Sequence, residues 1–159
     1  MTRIYLAGGL FNAGQRLHNL FLEKYLREFG FEVVLPQREA LKRFYQGSFD
    51  KGGLREDCRE SCTAKSSICV ANIDGADADS GTSIEYGMAI TATGRAVVYR
   101  TDFRTAEDLE LGLNAMFVSP GTSFVYLSCF FTDLKEVEGY YRALAAKICV
   151  AVQALERTP

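Results

Sequence analysis

The chain has 159 residues, 48% of them apolar and 24% charged, with a formal net charge of -2. That length supports one domain with a sizeable core, and its charge is too small and too scattered for a nucleic-acid binder. Its apolar runs fall well short of a membrane span, no secretion signal is expected where Arg3 precedes only a short apolar stretch, and its five cysteines are expected as reduced thiols in a cytoplasmic setting.

Residues 3–7, "RIYLA", read as a short buried strand, followed by the loop "GGLFNAG". A helix is expected over 15–29, because Leu22, Tyr25, Leu26 and Phe29 fall at i, i+3, i+4 and i+7, and Gly30 is a natural stop. "FEVVLP" reads as a second strand closed by Pro36. Residues 38–53 are ambiguous, with "QGSFDKGG" read as a mobile loop, and 54–66 read as a helix. "SICVANID" is apolar almost throughout, as a strand covered on both faces should be. A helix over 80–93 ends at Gly94, and "RAVVYR" is a fourth strand. Residues 102–122 read as irregular, with one helical turn expected around Leu109. "SFVYLS" is a fifth strand. The last helix is expected from Thr132 or Asp133, with Leu134, Val137, Tyr141, Leu144, Ile148, Val152 and Leu155 as its apolar stripe.

Strands alternating with helices predict an α/β fold, a parallel sheet with helices on both faces. No repeat or linker divides the chain, so residues 1–159 are expected as one domain. In such sheets ligands bind beyond the carboxyl ends of the strands, where strand order reverses. The segments Gly8 to Asn12, Pro36 to Arg38 and Asp74 to Glu85 leave strands at that edge.

The third of these carries the most chemistry. Residues 77–87, "DADSGTSIEYG", hold three carboxylates around a helix start. One reading is local: Thr82-Ser83-Ile84-Glu85 fits a capping box, or Asp79 is the cap. The other is chemical. With Ile84, Met88, Thr91 and Ala92 as the buried stripe, Glu85 borders it and is partly desolvated. Asp79 nearby then separates the pair into an acid and a base or nucleophile, the apparatus of glycosidic-bond cleavage. Other signals are weaker. "AGGLFNAG" is not a dinucleotide fingerprint. Cys58 and Cys62 stand at i, i+4, but His18 is the sole histidine and remote in sequence, so neither a zinc site nor a Ser-His-Asp triad is expected.

"IYLAGGLF" at 4–11, "LPQ" at 35–37, "VANIDGADADSGTSIEYGMA" at 70–89 and "NAM" at 114–116 together resemble the nucleoside 2-deoxyribosyltransferase family. The D-G-x₃-D-x-G-x₃-E segment, Asp74 to Glu85, is the most specific part. The resemblance implies a flavodoxin-like three-layer sandwich with a five-stranded parallel sheet. It also implies transfer of a 2-deoxyribosyl group between nucleobases with retention, in the cytoplasm, with no cofactor and no metal. On that resemblance Glu85 matches the nucleophile that forms a covalent deoxyribosyl-enzyme, Asp79 the acid that serves the base, and Tyr5 the residue positioning the nucleophile. Phe11 would stack on the base, Gln37 would contact its edge, and Asp74 would be a supporting carboxylate. Gly8 and Gly81 fall on glycines of the motif and join the substrate-binding set. Asn114 and Met116 would reach the 5'-hydroxyl of a donor in a neighbouring subunit. The partners implied are deoxynucleosides, free nucleobases and further copies of the chain, as a dimer or a hexamer built from dimers, with no nucleic acid and no membrane.

Two positions depart from the family pattern: Arg59 and Ser67 stand where it usually carries aspartates. Asp57 lies two residues before Arg59, about 200° away around a helix, and either does or does not replace the missing carboxylate. Two alternatives stay open. A 2-deoxynucleoside 5'-monophosphate N-glycosidase would use the same glutamate with water as acceptor. Its first loop resembles Gly-Ser-x-Arg and it tends to carry a serine at the position of Asn114, whereas this loop reads Gly8-Gly9-Leu10-Phe11. A non-catalytic nucleoside-binding module would account for Arg59 and Ser67 but gains nothing from Asp79 beside Glu85.

Overall fold

The computed structural model describes residues 2–45, 47–104 and 113–157. Five strands, β1 (Arg3–Ala7), β2 (Glu32–Val34), β5 (Ser67–Asn72), β6 (Ala96–Arg100) and β7 (Thr122–Tyr126), form one sheet in the order β2-β1-β5-β6-β7. Every neighbouring pair in it is parallel. A second, two-stranded antiparallel sheet joins β3 (Phe44–Tyr45) to β4 (Ser48–Phe49). This is the flavodoxin-like class that the motifs imply.

Strand side chains point alternately to the two faces, and that alternation decides which helix each one meets. Ile4, Leu6, Ile68, Val70, Val97 and Tyr99 face helices α1 (Ala13–Glu28) and α5 (Leu134–Arg157), packing on Leu22, Leu26, Leu144 and Ile148. Tyr5, Ala7, Cys69, Ala71, Ala96 and Val98 face α3 (Lys51–Thr63) and α4 (Ser80–Thr93), packing with Cys62, Tyr86 and Ala89. Tyr5 is therefore committed to the α4 side by its parity in β1.

The elements form where the local chemistry allows. α1 begins in a capping box: the Asn12 side chain accepts from the Gln15 amide at 3.0 Å, and the Gln15 side chain accepts from the Asn12 amide. This satisfies two amides that the first turn would otherwise leave bare. Gly30 follows the helix at φ +91, a conformation that favours glycine. α4 ends on Gly94 at φ +69, whose amide donates to Ile90. In α5, Val137, Tyr141, Leu144, Ala145, Ile148, Val152 and Leu155 are buried.

Several expectations need correction. Pro36 opens a helix, α2 (Pro36–Lys42), rather than closing a strand, because a proline in the first turn lacks only an amide that would go unpaired there. The stretch read as a mobile loop holds β4 and the start of α3, which Asp50 caps by accepting from the Gly53 amide at 2.9 Å. Phe29 and Leu134 are exposed ends of their stripes rather than core. The buried face of α4 is Thr82, Tyr86 and Ala89, not Ile84, Met88, Thr91 and Ala92. Ile84 is 63% exposed, and Met88 alone of those four packs against the core. The turn expected around Leu109 lies outside the described residues.

Candidate active site

Strand order reverses between β1 and β5, and the carboxyl ends of both strands open there. The loop after β5 runs to Asp79, which caps α4: its Oδ2 accepts from the Thr82 amide at 2.9 Å and the Thr82 hydroxyl at 3.0 Å. Asp79, rather than Thr82, is thus the cap. Thr82 is a buried member of the first turn, and no capping box forms with Glu85. Gly81 sits in the same turn, where an added Cβ would stand 3.1 Å from the Asp79 carboxylate.

Freed from capping, Glu85 is directed at the sheet. Its Oε1 accepts a 2.6 Å hydrogen bond from the Tyr5 hydroxyl. Burial raises the Glu85 carboxyl above the usual range; donors from Tyr5 and Cys58 pull it back, and the Asp79 charge pushes it up again. Burial, and then the facing Glu85 charge, drive the Tyr5 phenol far above its ordinary value. Tyr5 therefore stays protonated and donates. The outcome is a partly desolvated carboxylate with one oxygen fixed, next to a second carboxylate one and a half turns earlier on the chain.

Asp74 is held differently. Its Oδ1 accepts from the Thr101 and Asp102 amides at 2.5 and 2.8 Å, and its Oδ2 from the Thr101 hydroxyl at 2.6 Å and Asn72 Nδ2 at 3.0 Å. Gly75, at φ +112, returns a bond from its amide to Asp102 Oδ2 at 3.2 Å. Buried Arg100 donates to the Gly75 and Arg104 carbonyls. The loops after β5 and β6 are stitched together by these bonds, so Asp74 acts here as a brace for the segment that carries Asp79.

A cavity of about 430 Å³ occupies the reversal point, lined among others by Gly9, Gln15, His18, Asn72, Asp74 and Asp79. Among its described lining residues there is no lysine or arginine. Gly8 lies behind two of the lining residues: a Cβ there would lie 3.3 Å from Asn19 Oδ1 and 3.4 Å from Asn72 Cβ. His18 is clamped between the hydroxyls of Tyr141 and Tyr99, each at 2.9 Å. Burial lowers its pKa, against the pull of Asp74.

The remaining expected residues are spread out. Phe11 is 78% exposed on the loop before α1. Gln37 is buried, with its Oε1 accepting from Asn19 and its Nε2 donating to the Arg16 carbonyl. Asp57 is turned away, in a two-pronged pair with Arg43, at a separate cavity of about 670 Å³ beyond β2. There Arg3 meets Glu32 and Lys42 meets Glu39, so its charges are balanced within the wall. Ser67 begins β5, at the opposite end of the strand from the site. Asn114 and Met116 flank the outer side of α4 beside Ser83 and Ile84, with Asn114 Oδ1 accepting from the Met116 amide. One chain thus joins Tyr5 to Glu85, sets Gly81 against Asp79, and lines the cavity with Asp74 and Asp79, but does not bring Asp57, Asn114 or Met116 to that cavity. Sequence reasoning missed His18, Asn72 and Cys58. Asn72 had a signal, a polar residue where an apolar strand ends; the other two are placed only by long-range packing. Among the described residues, no three His, Cys, Asp or Glu side chains converge as a metal site, and no helix is long and apolar enough to cross a membrane.

A five-stranded parallel sheet with helices on both faces, and a tyrosine-held glutamate on the helix that follows its central strand, defines a flavodoxin-like α/β protein. Comparison with known proteins gives the family. The family model for nucleoside 2-deoxyribosyltransferase matches residues 4–116, and the chain belongs to that family of nucleoside-modifying enzymes. Among solved structures it is similar to the 2-deoxyribosyltransferase of Bacillus psychrosaccharolyticus, at 25% identity and TM-score 0.60, covering 91% of this chain and 96% of that one. It shares its fold with a conserved protein of Enterococcus faecalis V583, at 24% identity and TM-score 0.63 over 94% and 98% of the two chains. It also shares it with the CMP N-glycosidase BcmB of Clostridium botulinum, at 14% identity and TM-score 0.55 over 87% and 95%. No curated protein sequence matches the chain.

Proposed function

We propose that the protein transfers a 2-deoxyribosyl group from one nucleobase to another through a covalent intermediate on Glu85. The observation that carries this reading is the 2.6 Å bond from Tyr5 to Glu85. It fixes one carboxylate oxygen and leaves the other to attack the anomeric carbon. Asp79 protonates the departing base and later accepts a proton from the incoming one. Two displacements at one carbon retain its configuration. Phe11, Gly8 and Gly81 border the base and sugar, Gln37 acts from behind by holding Asn19 at the cavity wall, Asp74 braces the loop, and Asn114 and Met116 serve the site of a neighbouring copy in a homo-oligomer. Asp57, paired with Arg43, has no part in this scheme.

The hydrolase reading would need a place for a phosphate. The cavity at the reversal point offers Asp74, Asp77 and Asp79 and a histidine whose pKa burial lowers. A dianion gains nothing from such a wall. The test is to incubate the protein with deoxyinosine, with and without free adenine, and separate the products. Deoxyadenosine formed only with adenine present supports transfer; hypoxanthine released equally in both, or turnover of deoxynucleoside 5'-monophosphates alone, moves the answer to hydrolysis. Glu85→Ala should lose at least a thousandfold in turnover, and more than a tenth of wild-type activity remaining would remove Glu85 as nucleophile.

A further inference from the structure

One wall of the cavity at the reversal point is α1, where Gln15 and Asn19 stand one turn apart. Asn19 is 3% exposed, and its amide is fixed in one orientation. Its Nδ2 donates to the Gly9 carbonyl at 3.0 Å and to Gln37 Oε1 at 3.1 Å, and Gln37 is fixed in turn because its Nε2 donates to the Arg16 carbonyl at 3.2 Å. Backbone carbonyls only accept, so neither amide can turn round. Asn19 Oδ1 is left without a donor among the described residues, yet it is not one of their sealed, unpartnered atoms. It therefore opens on the cavity that the residue lines. Gln15 is fixed the other way: its Oε1 takes the Phe11 and Asn12 amides, so Nε2 is its outward group, above Gly9.

Resting on the deoxyribosyl chemistry above, we propose that Asn19 sets base specificity: its Oδ1 accepts an N–H from the exocyclic amino group of a 6-aminopurine or a 4-aminopyrimidine. The base, not the sugar, is the part in reach. Asp79, which serves the base in that scheme, lines this cavity, whereas Glu85, which meets the sugar, is not among its described lining residues. Acceptors prevail in the lining, which also carries the Asp74, Asp77 and Asp79 carboxylates, and both ring nitrogens of His18 are taken by tyrosine hydroxyls. An amino group brings two N–H and no competing acceptor, whereas an oxo group sets its lone pairs against that wall. A base with no N–H at this place leaves a buried acceptor stripped of water and unpaired, which is how a polar site rejects an analogue. The outward Nε2 of Gln15 suits the ring nitrogen beside the amine.

The experiment reads nucleoside consumed, with excess hypoxanthine as common acceptor, for deoxyadenosine and for purine deoxyriboside, which lacks the amino group. Both donors are run on wild type, Asn19→Ala and Asn19→Asp. Their intrinsic difference in reactivity cancels when the kcat/KM ratio of each variant is set against that of wild type. Asn19→Ala should lower the preference for the amino donor about tenfold. Asn19→Asp gives up the two inward donors and should slow both nucleosides, but it keeps an outward acceptor and should hold the preference within about threefold of wild type. Equal losses on both donors in Asn19→Ala would mark a merely structural residue and overturn the proposal, and so would a preference lost in both variants. If Asn19→Ala does not fold, wild type decides: as acceptors, free adenine should show a KM about fivefold or more below that of unsubstituted purine, and equal KM values overturn the proposal. Transfer and hydrolysis share the first displacement, so consumption serves for either. Wild type that consumes neither donor removes the deoxyribosyl reading and this assignment with it, whereas consumption with an unmoved ratio removes only the role of Asn19.

Discussion

A carboxylate that attacks an anomeric carbon must be both ionised and short of water, and Glu85 meets the two demands with opposed terms. Burial and the Asp79 charge raise its pKa, and donors from Tyr5 and Cys58 lower it. The attacking form is the carboxylate, so activity is lost as pH falls through a folded-state pKa that lies above the ordinary glutamate value. Tyr5→Phe removes the 2.6 Å donor and pushes that pKa higher still. Its acid limb should therefore shift to higher pH, with kcat falling about tenfold, as a pH–rate profile will read. The same shift has a cost in stability. A carboxyl whose pKa is raised on folding destabilises the native state where it is ionised, above the folded pKa, and not below the unfolded one. Glu85→Gln should accordingly melt a few degrees higher than wild type at pH 7 and lose that advantage near pH 4, by calorimetry at both values. An equal gain at both pH values would mean that packing, not charge, is responsible.

At the scale of elements, α4 shows how one residue holds two tasks. Asp79 caps the helix through the Thr82 amide and hydroxyl and, in the proposed chemistry, serves the base. The tasks separate by substitution. Asp79→Ala should cost about 1 kcal/mol of stability as well as activity, whereas Asp79→Ser keeps a cap, so stability stays within about 0.5 kcal/mol while activity on natural donors still collapses. Chemical denaturation against turnover checks this, and a serine enzyme with near-normal rates would strip Asp79 of its acid role. The element scale also shows what was legible in the sequence. The apolar runs at 67–72 and 96–100 could only be covered strands, and Gly94 could only end a helix. The face of α4 was not legible, because its buried side uses Thr82, whose hydroxyl is satisfied by Asp79, and leaves apolar Ile84 in water. Composition favours the opposite arrangement. α2 and the β3–β4 hairpin were hidden because Pro36 reads as a stop until the tertiary context makes it a first turn.

For the whole molecule, alternation of strands and helices follows from the sequence, but the order β2-β1-β5-β6-β7 does not. Pairing of β1 with β5 across some sixty residues is set by packing on both faces, and only the family motifs pointed to it. Parity then places Tyr5 on the α4 face, so the Tyr5–Glu85 contact is a consequence of topology. What a single chain leaves apart is the Asn114–Met116 segment. Ile84, Met116 and Val118 are 63%, 78% and 60% exposed, and the first two line one groove on the outer side of α4. Phe117 anchors that segment by packing its ring 5.0 Å from Tyr86, so the apolar neighbours stand out from a fixed base. In the homo-oligomer we propose, they are covered by a second copy, which receives Asn114 at its donor's 5'-hydroxyl. Met116→Asp would then bury a charge in the interface without touching the chain's own core. Light scattering at micromolar concentration should find wild type as a dimer or larger and Met116→Asp as a monomer. Its unfolding free energy per chain at low concentration should change by less than about 0.5 kcal/mol, the range for an exposed site. Its activity should fall with the dimer fraction and recover as protein concentration is raised, because association carries the missing contact. A wild-type monomer with full activity would place Asn114 and Met116 outside the site altogether.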